Sequence, residues 1–237
     1  VSRALQEALL PVEIPEIGGL QVAVRYWAAG LVNEVGGDFY DVFETTRGNY
    51  SVVIGDVCGT GPQAAAVTAK ARHTIRAAAT HGAFPAEVLG WVNDAILVSH
   101  RGRFCTVLYA TLERSGDGWD LTTVSSGHPL PVHVRDGIGG LLGTPGTLAG
   151  VFPELELHPA TTHLEPGDTL VLVTDGVTDV RPPYGLDDNE VMAMMTAAAI
   201  KGTTAEEVIE GLGDRLDAVL PFDERNDDMA IIVIRVD

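Results

Sequence analysis

Hydrophobic and polar positions alternate with a period of two in several short stretches, which is typical of half-buried β-strands. The stretches LQVAVRYWAA, GGDFYDVFET and NYSVVIGDV follow one another, and we expect them to form an antiparallel sheet. FCTVLYATLE and WDLTTVS predict a hairpin around the turn SGDG. ELELHPATTHL, DTLVLVT and DDMAIIVIRV predict three further strands.

Helical patterns separate these groups of strands. Pro62 is a favourable first residue for a helix over QAAAVTAKARHTIRAAAT, with Thr60 as a candidate N-cap. A second helix is predicted from Pro85. Two amphipathic helices are predicted in GLDDNEVMAMMTAAAI and TTAEEVIEGLGDRLDAVL, and a capping box of Thr204 and Glu207 opens the latter. Because runs of strands alternate with pairs of helices, the pattern indicates an α+β fold in which helices cover sheets.

The start of the chain has a helical pattern of its own. Val1, Leu5 and Leu9 lie four residues apart on one helical face, and prolines end the pattern shortly afterwards. This pattern predicts a helix that enters from a preceding segment of a longer protein. We therefore expect residues 1–12 to be the end of a connector helix and residues 13–237 to form one domain.

Composition and charge exclude several classes of function. The chain has 15 basic and 33 acidic residues, and its net charge of −18 disfavours binding to nucleic acid. Apolar runs are shorter than the roughly 20 residues that cross a bilayer, so no membrane insertion is expected. Cys58 and Cys105 lack the number and spacing of a disulfide framework or a zinc site. This cysteine content favours a cytoplasmic location.

Aspartates lie beside the ends of several predicted strands, next to glycine or turn residues that allow close backbone approach. One aspartate at such a place commonly caps a helix or starts a turn. Several carboxylates gathered at neighbouring strand ends would repel one another at low dielectric and would need a counter-charge. The aspartates concerned are Asp38, Asp41, Asp56, Asp175, Asp227 and Asp228.

A divalent cation is the counter-charge that these residue types favour. Aspartate oxygens, with no His or Cys at metal-ligand spacing in these motifs, select a hard ion such as Mg²⁺ or Mn²⁺. A backbone carbonyl in the turn Asp56–Val57–Cys58 can add a ligand. Three or more aspartates can hold two ions, which together can activate water and stabilise displacement at phosphorus. The chain lacks a Gly-x-Ser-x-Gly elbow and a Walker-type loop, which disfavours a kinase or a P-loop NTPase.

Five motifs also resemble a known family when they are taken in order along the chain. VGGDFYD, GDVCGTGPQAA, SSGHPLP, LVTDGVTD and RNDDMAIIVIRV resemble the SpoIIE/RsbU-type bacterial branch of the metal-dependent protein phosphatase (PPM) superfamily, from about Leu5 to Val236. The resemblance implies a four-layer αββα sandwich, in which two antiparallel sheets lie between helix pairs. It also implies two Mn²⁺ or Mg²⁺ ions at one edge of the sandwich, where a metal-bound water attacks phosphoserine or phosphothreonine.

The resemblance assigns roles to residues by their position in these motifs. Asp56 would bridge both ions, and Asp175 and Asp227 would bind one of them. The backbone carbonyl of Val57 would hold the other ion, and Asp38 would act directly or through water. The residues expected to surround and orient these ligands or their waters are Asp41, Gly176 and Asp228.

The same resemblance implies partners. The expected substrate is a phosphorylated anti-anti-sigma factor, a small STAS-domain protein that sequesters an anti-sigma factor once its phosphate is removed. An upstream sensor or receiver domain would be joined through the connector helix, whose apolar face would pair two copies as a homodimer. Two alternatives stay open at this point. One is that the domain is a catalytically silent signalling module of the same fold. The other is that it is a phosphatase acting on a small molecule such as a nucleotide.

Two residues of the motifs need separate comment. His128 in SSGHPLP is expected to be a structural turn residue packed between strands, in preference to an acid or base. Ala230 stands where Thr or Ser often follows DDM in the family, which removes a hydroxyl from the predicted metal edge but no ligand.

Overall fold

The computed structural model describes residues 9–28, 35–45, 48–99, 102–178, 186–220 and 227–237. The strands are β1 Leu20–Trp27, β2 Phe39–Glu44, β3 Tyr50–Val57, β4 Cys105–Ser115, β5 Gly118–Ser126, β6 Val132–Arg135, β7 Ile138–Leu141, β8 Ala160–Leu164, β9 Thr169–Val173 and β10 Met229–Val236. The helices are α1 Pro62–Thr80, α2 Pro85–Ser99, α3 Asp175–Thr178, α4 Asp188–Lys201 and α5 Ala205–Val219.

The strands form two five-stranded sheets in which every pairing is antiparallel. The first sheet has the order β1-β10-β9-β6-β7 and the second the order β2-β3-β4-β5-β8. The prediction that the first three strands share a sheet is wrong for β1, which pairs with β10. The residues of β10 are almost all buried, so its backbone polar groups need a strand on each side, and β1 and β9 fill these places.

Three apolar layers hold the fold together, because alternate side chains of each strand face opposite ways. Val52 and Ile54 of β3 pack with Leu170 and Leu172 of β9 between the two sheets, whereas Val53 faces the helices. Helices α1 and α2 cover the second sheet, and α4 and α5 cover the first. The predicted four-layer αββα sandwich is therefore confirmed.

Two predicted helix starts differ in detail from the structure. The N-cap of α1 is Gly61 and not Thr60, because this position has a φ of 85°, which glycine adopts without strain. At the start of α5, the Thr204 hydroxyl accepts a hydrogen bond from the Glu207 backbone N–H at 3.1 Å, as predicted. The Glu207 carboxylate instead accepts from the Thr203 N–H at 2.7 Å, so the capping box is only half formed.

Two other boundaries were not anticipated by the sequence pattern. A complete capping box of Asp187 and Glu190 opens α4, with both hydrogen bonds at 2.9 Å. The stretch ELELHPATTHL forms a strand only over Ala160–Leu164. Across the described ranges, no helix combines the length and apolar character needed to cross a membrane.

The predicted connector helix lies largely outside the described residues. Leu9 is helical and packs in a small apolar cluster with Val35 and Ala65. Its carbonyl accepts a hydrogen bond from Arg72 of α1. The end of the lead-in segment is thus anchored to α1, and its role as a connector stays a prediction.

Candidate active site

Polar residues replace apolar ones where the layer between the two sheets reaches one rim of the sandwich. In β3, Asp56 has the same parity as Val52 and Ile54, whose side chains fill the layer between the sheets. Since every second side chain of a strand lies on the same face, Asp56 faces the gap between the sheets. By the same alternation, the residues next to β2, β9 and β10 that face the gap between the sheets are Asp38, Thr174 and Asp228.

Three carboxylates meet at this rim, and we call them the acidic cluster. Asp38 precedes β2, Asp56 lies near the end of β3, and Asp175 is the first residue of α3 directly after β9. One carboxylate oxygen from each lies within 4.8 Å of the others. The structure therefore brings together three aspartates that are distant in the chain.

The electrostatics of the acidic cluster call for a positive charge. Burial, and next the charge of Asp56, raise the pKa of Asp38 well above its ordinary value. Burial and the charges of Asp175 and Asp227 raise the pKa of Asp56 to about 7. Like charges at this spacing favour protonation unless a cation compensates them. The set of oxygen donors fits a hard divalent cation, so the residues present match the predicted ion.

Two glycines allow the backbone to approach the acidic cluster closely. A Cβ on Gly37 would overlap the carbonyl oxygen of Val57 and Oδ1 of Asp56. A Cβ on Gly36 would overlap Oδ2 of Asp228. The Val57 N–H donates to the Gly37 carbonyl at 3.2 Å, which fixes this approach. The Val57 carbonyl therefore lies beside the Asp56 carboxylate, where the sequence predicts a ligand.

Thr174 is a residue of the site that the sequence reasoning missed. It is fully buried, and its hydroxyl donates to Oδ2 of Asp38 at 2.6 Å. The same hydroxyl accepts from the Ala230 N–H at 2.9 Å. Thr174 therefore fixes Asp38 relative to β10 and places a hydroxyl next to Ala230. The signal in the sequence was a polar residue of inward parity in the apolar run LVLVTD.

Asp227 and Asp228 lie at the same rim but in different surroundings. Asp227 is exposed, and its Oδ1 accepts from the Asp228 N–H at 2.9 Å. Asp228 is buried, and its Oδ2 accepts a hydrogen bond from the Tyr26 hydroxyl of β1. Burial and next the charge of Asp228 raise the pKa of Tyr26, so this phenol remains a donor. Asp227 is not one of the three clustered carboxylates, and its role as a ligand stays a prediction.

The two other residues expected to surround the ligands have distinct positions. Asp41 lies three residues after Asp38 and so has the opposite parity, and its carboxylate accepts hydrogen bonds from Arg76 at 2.6 and 2.8 Å and from Arg72 at 3.2 Å. The contacts of Asp41 thus run to α1. A Cβ on Gly176 would overlap the carbonyl oxygen of Asp228, so glycine here allows α3 to approach β10.

His128 is part of a buried turn beside the acidic cluster. Its N–H donates to the Ser125 hydroxyl at 3.1 Å, and its ring Nδ1 lies 2.9 Å from the Thr106 hydroxyl. Burial lowers the pKa of His128 to about 3, so the ring is neutral at pH 7. This arrangement matches the structural role expected from the sequence.

Comparison with solved structures identifies the fold. The chain superposes on the SiaA-PP2C domain of Pseudomonas aeruginosa with a TM-score of 0.81 and 22% identity, covering 100% of this chain and 94% of that one. It superposes on RsbX, solved in complex with magnesium, with a TM-score of 0.69 and 17% identity, covering 95% and 99%. The fold is therefore that of PP2C-type domains, and the acidic cluster lies at one rim of the sandwich.

Sequence comparison then gives the family. Residues 46–237 match the family described as Stage II sporulation protein E (SpoIIE), and the chain belongs to this family. It is 24% identical to phosphoserine phosphatase RsbU of Bacillus subtilis over 99% of this chain and 69% of RsbU. It is 26% identical to protein IcfG of Synechocystis over 94% of this chain. The chain spans only 39% of the length of IcfG.

Proposed function

We propose that this domain hydrolyses phosphoserine or phosphothreonine on a small regulatory protein with the help of two Mn²⁺ or Mg²⁺ ions. The observation that carries the proposal is the acidic cluster, in which carboxylates of Asp38, Asp56 and Asp175 lie within 4.8 Å of one another. Membership of the SpoIIE family and the similarity to a phosphoserine phosphatase support this function. The structure of RsbX in complex with magnesium supports the choice of a hard divalent ion.

The residues of the rim have separate tasks in this proposal. Asp56 would lie between the two ions, with Asp175 and Asp227 on one ion and the Val57 carbonyl on the other. Asp38 would act directly or through water. Such ions lower the pKa of bound water and neutralise charge on the phosphoryl oxygens.

The neighbouring residues hold these oxygen donors in place. The Thr174 hydroxyl fixes one oxygen of Asp38, and the Tyr26 hydroxyl fixes one oxygen of Asp228. Asp41 acts through its ion pairs, which join β2 to α1. Gly176 permits the contact between α3 and the start of β10. Fixed donors of this kind orient ligands before an ion binds.

The substrate in this proposal is a phosphorylated STAS-domain anti-anti-sigma factor in the cytoplasm. The similarity to RsbU over 99% of this chain supports a substrate of that kind. The full-length protein would carry an upstream sensor or receiver domain, joined through residues 1–12, and would act as a homodimer. A net charge of −18 supports a protein substrate over nucleic acid.

The test compares phosphorylated STAS proteins from the same cell with free phosphomonoesters. The domain is incubated with Mn²⁺, and loss of phosphate is followed by mass spectrometry. We expect faster loss from one phosphorylated STAS protein than from nucleotides or p-nitrophenyl phosphate, and no loss with a chelator. Preference for a nucleotide would instead identify a small-molecule phosphatase. No turnover of any substrate would identify a silent module.

A further inference from the structure

A cavity of about 410 Å³ opens directly beside the acidic cluster. We call it the flank pocket. Asp175 belongs both to the acidic cluster and to the lining of the flank pocket. Thr106, which also lines the pocket, is the cross-strand partner of Asp56. A phosphoryl group held at the carboxylates would therefore have the flank pocket as its neighbour.

The other walls of the flank pocket are largely apolar. They include Leu130 before β6, Leu141 of β7, and Val191, Met192 and Met195 of α4. Methionine side chains are flexible and polarizable, so a wall that contains two of them can adapt to apolar groups of different shape. A volume of about 410 Å³ lies within the range of about 300 to 1,000 Å³ that is usual for small binding sites.

The charges at the rim of the flank pocket have one sign. Asp175 and Asp188 are the charged residues among the described lining, which contains no lysine or arginine. An acidic side chain entering the pocket would be repelled by both carboxylates. An apolar side chain would gain free energy by leaving water. The chemistry of the lining thus selects apolar over acidic groups.

We propose that the flank pocket binds an apolar side chain, such as Leu, Met or Phe, that flanks the phosphorylated residue of the substrate protein. This inference rests on the proposed function, because it takes the acidic cluster as the place of the phosphoryl group. The pocket then determines which phosphorylated segments are dephosphorylated efficiently. The lining residues that we expect to determine its specificity are Leu141, Val191 and Met192.

The test uses nine-residue phosphoserine peptides that differ at one position. Each of the three positions on either side of phosphoserine is occupied in turn by Leu, Gly or Asp in an otherwise constant sequence. We expect Leu at one flanking position to raise kcat/KM about tenfold over Gly, because burial of one apolar side chain contributes a free energy of that size. We expect Asp at the same position to lower kcat/KM. Hydrolysis of p-nitrophenyl phosphate, which has no flanking residue, is the reference activity.

Two substitutions on one strand separate the flank pocket from the surrounding surface. Leu141 lines the pocket and is 60% exposed, whereas Ile138 on the same strand is 76% exposed and is not part of the lining. Both side chains are accessible to water, so neither Leu141→Asp nor Ile138→Asp should unfold the domain. Leu141→Asp should abolish the preference for Leu, and Ile138→Asp should retain it, with the preference measured as the ratio of kcat/KM for the Leu peptide to kcat/KM for the Gly peptide.

Binding provides a readout that does not depend on turnover. Labelled versions of the peptides, with a hydrolysis-resistant phosphonate in place of phosphoserine, are titrated with the domain and Mn²⁺ by fluorescence anisotropy. Tighter binding of the Leu peptide than of the Gly peptide, retained in Ile138→Asp but lost in Leu141→Asp, would support the inference. If this binding preference is observed but no substrate is turned over, the proposed function fails while the inference about the flank pocket stands. Equal kcat/KM and equal affinity for all peptides, with p-nitrophenyl phosphate hydrolysed, would overturn the flank pocket and leave the proposed function intact.

Discussion

Asp38 and Asp41 lie three residues apart, and each is only 1% exposed, yet their surroundings are opposite. Asp41 forms ion pairs with Arg72 and Arg76 of α1, at 3.2 and 2.6 Å. Asp38 accepts a hydrogen bond from the neutral Thr174 hydroxyl and is close to other carboxylates. The carboxylate that stabilises the scaffold has its counter-charge within the chain. Among the described residues, the rim carboxylate Asp38 has a hydroxyl and other carboxylates as neighbours, an arrangement that suits a divalent cation.

A third buried aspartate follows the pattern of Asp41. Asp168 is 2% exposed, and Arg135 donates to its carboxylate at distances from 2.5 to 3.1 Å. Despite burial, which acts the other way, the hydrogen bonds from Arg135 lower the pKa of Asp168. Burial alone therefore does not account for the raised pKa of Asp38 and Asp56. What distinguishes the acidic cluster is that, among the described residues, the charges that raise the pKa of Asp38 and Asp56 are those of other carboxylates.

The largest expected effect comes from removing a charge of the acidic cluster. Asp56→Asn and Asp175→Asn should each lower Mn²⁺-dependent hydrolysis of p-nitrophenyl phosphate by more than about 100-fold, since loss of an outer-shell partner alone can cost that much. The free energy of unfolding without metal should stay the same or increase, because like-charge repulsion is relieved. Activity assays and urea unfolding check both parts. Retained activity in either variant contradicts the assignment.

Asp41→Asn should have the opposite consequence. Removing the charge of the buried Asp41 leaves the largely buried Arg72 and the partly exposed Arg76 uncompensated, so the free energy of unfolding should fall by about 2 kcal/mol. Urea unfolding in the presence of a chelator measures this loss, with Asp56→Asn as the matched control. If Asp41→Asn is as stable as the unsubstituted chain, the distinction between scaffold and rim carboxylates is wrong.

Thr174→Val tests the contact that holds Asp38. The substitution preserves shape but removes the hydroxyl between Asp38 and the Ala230 N–H. We expect activity to fall about tenfold, as is usual for residues that orient metal ligands, and KM for Mn²⁺ to rise. Thr174→Ser keeps the hydroxyl and should restore most of the activity. A similar loss in Thr174→Ser would assign the effect to packing.

A further expected effect is a pH dependence of stability in the metal-free domain. Asp56 has a folded-state pKa of about 7, above that of the unfolded chain, so the stability from its protonated form is present below pH 4 and is lost as the pH rises through 7. The buried His128, with a pKa of about 3, acts in the opposite direction over part of this range. The difference in unfolding free energy between the unsubstituted chain and Asp56→Asn reports the titration of Asp56 together with its effect on Asp38, whose pKa the charge of Asp56 raises. The unfolding free energy of the unsubstituted chain minus that of Asp56→Asn should decrease from pH 4 to pH 7.5. A value that stays constant over this range would contradict the raised pKa.

Local patterns were sufficient to predict the elements that carry the acidic cluster. The apolar runs before Asp56 and Asp175 and the glycines after them marked strand ends, and the nearly continuous apolar run of β10 marked a buried strand. The spacing of Asp38 and Asp41 could have separated their roles, because residues three apart in a strand face opposite ways. The expectation that Asp41 lies beside the metal ligands does not take this alternation of strand faces into account.

The missed features depend on contacts between distant segments. Tyr26 and Asp228 meet only because β1 pairs with β10, and the pattern around Tyr26 gives no sign of that pairing. The arginines that pair with Asp41 lie on α1, and their partner is set by how α1 packs on the second sheet. The flank pocket likewise combines residues from β4, β6, β7 and α4. Periodicity predicts elements, whereas these contacts follow from their arrangement.

Titration with Mn²⁺ is the most direct test of the claim that the acidic cluster binds a divalent cation. Isothermal titration calorimetry on the purified chain should show saturable binding of Mn²⁺. Asp56→Asn should weaken this binding by at least about tenfold, whereas Asp41→Asn, which acts only through the position of β2, should weaken it less. Equal affinity in all three proteins, or no saturable binding in the unsubstituted chain, would contradict the account.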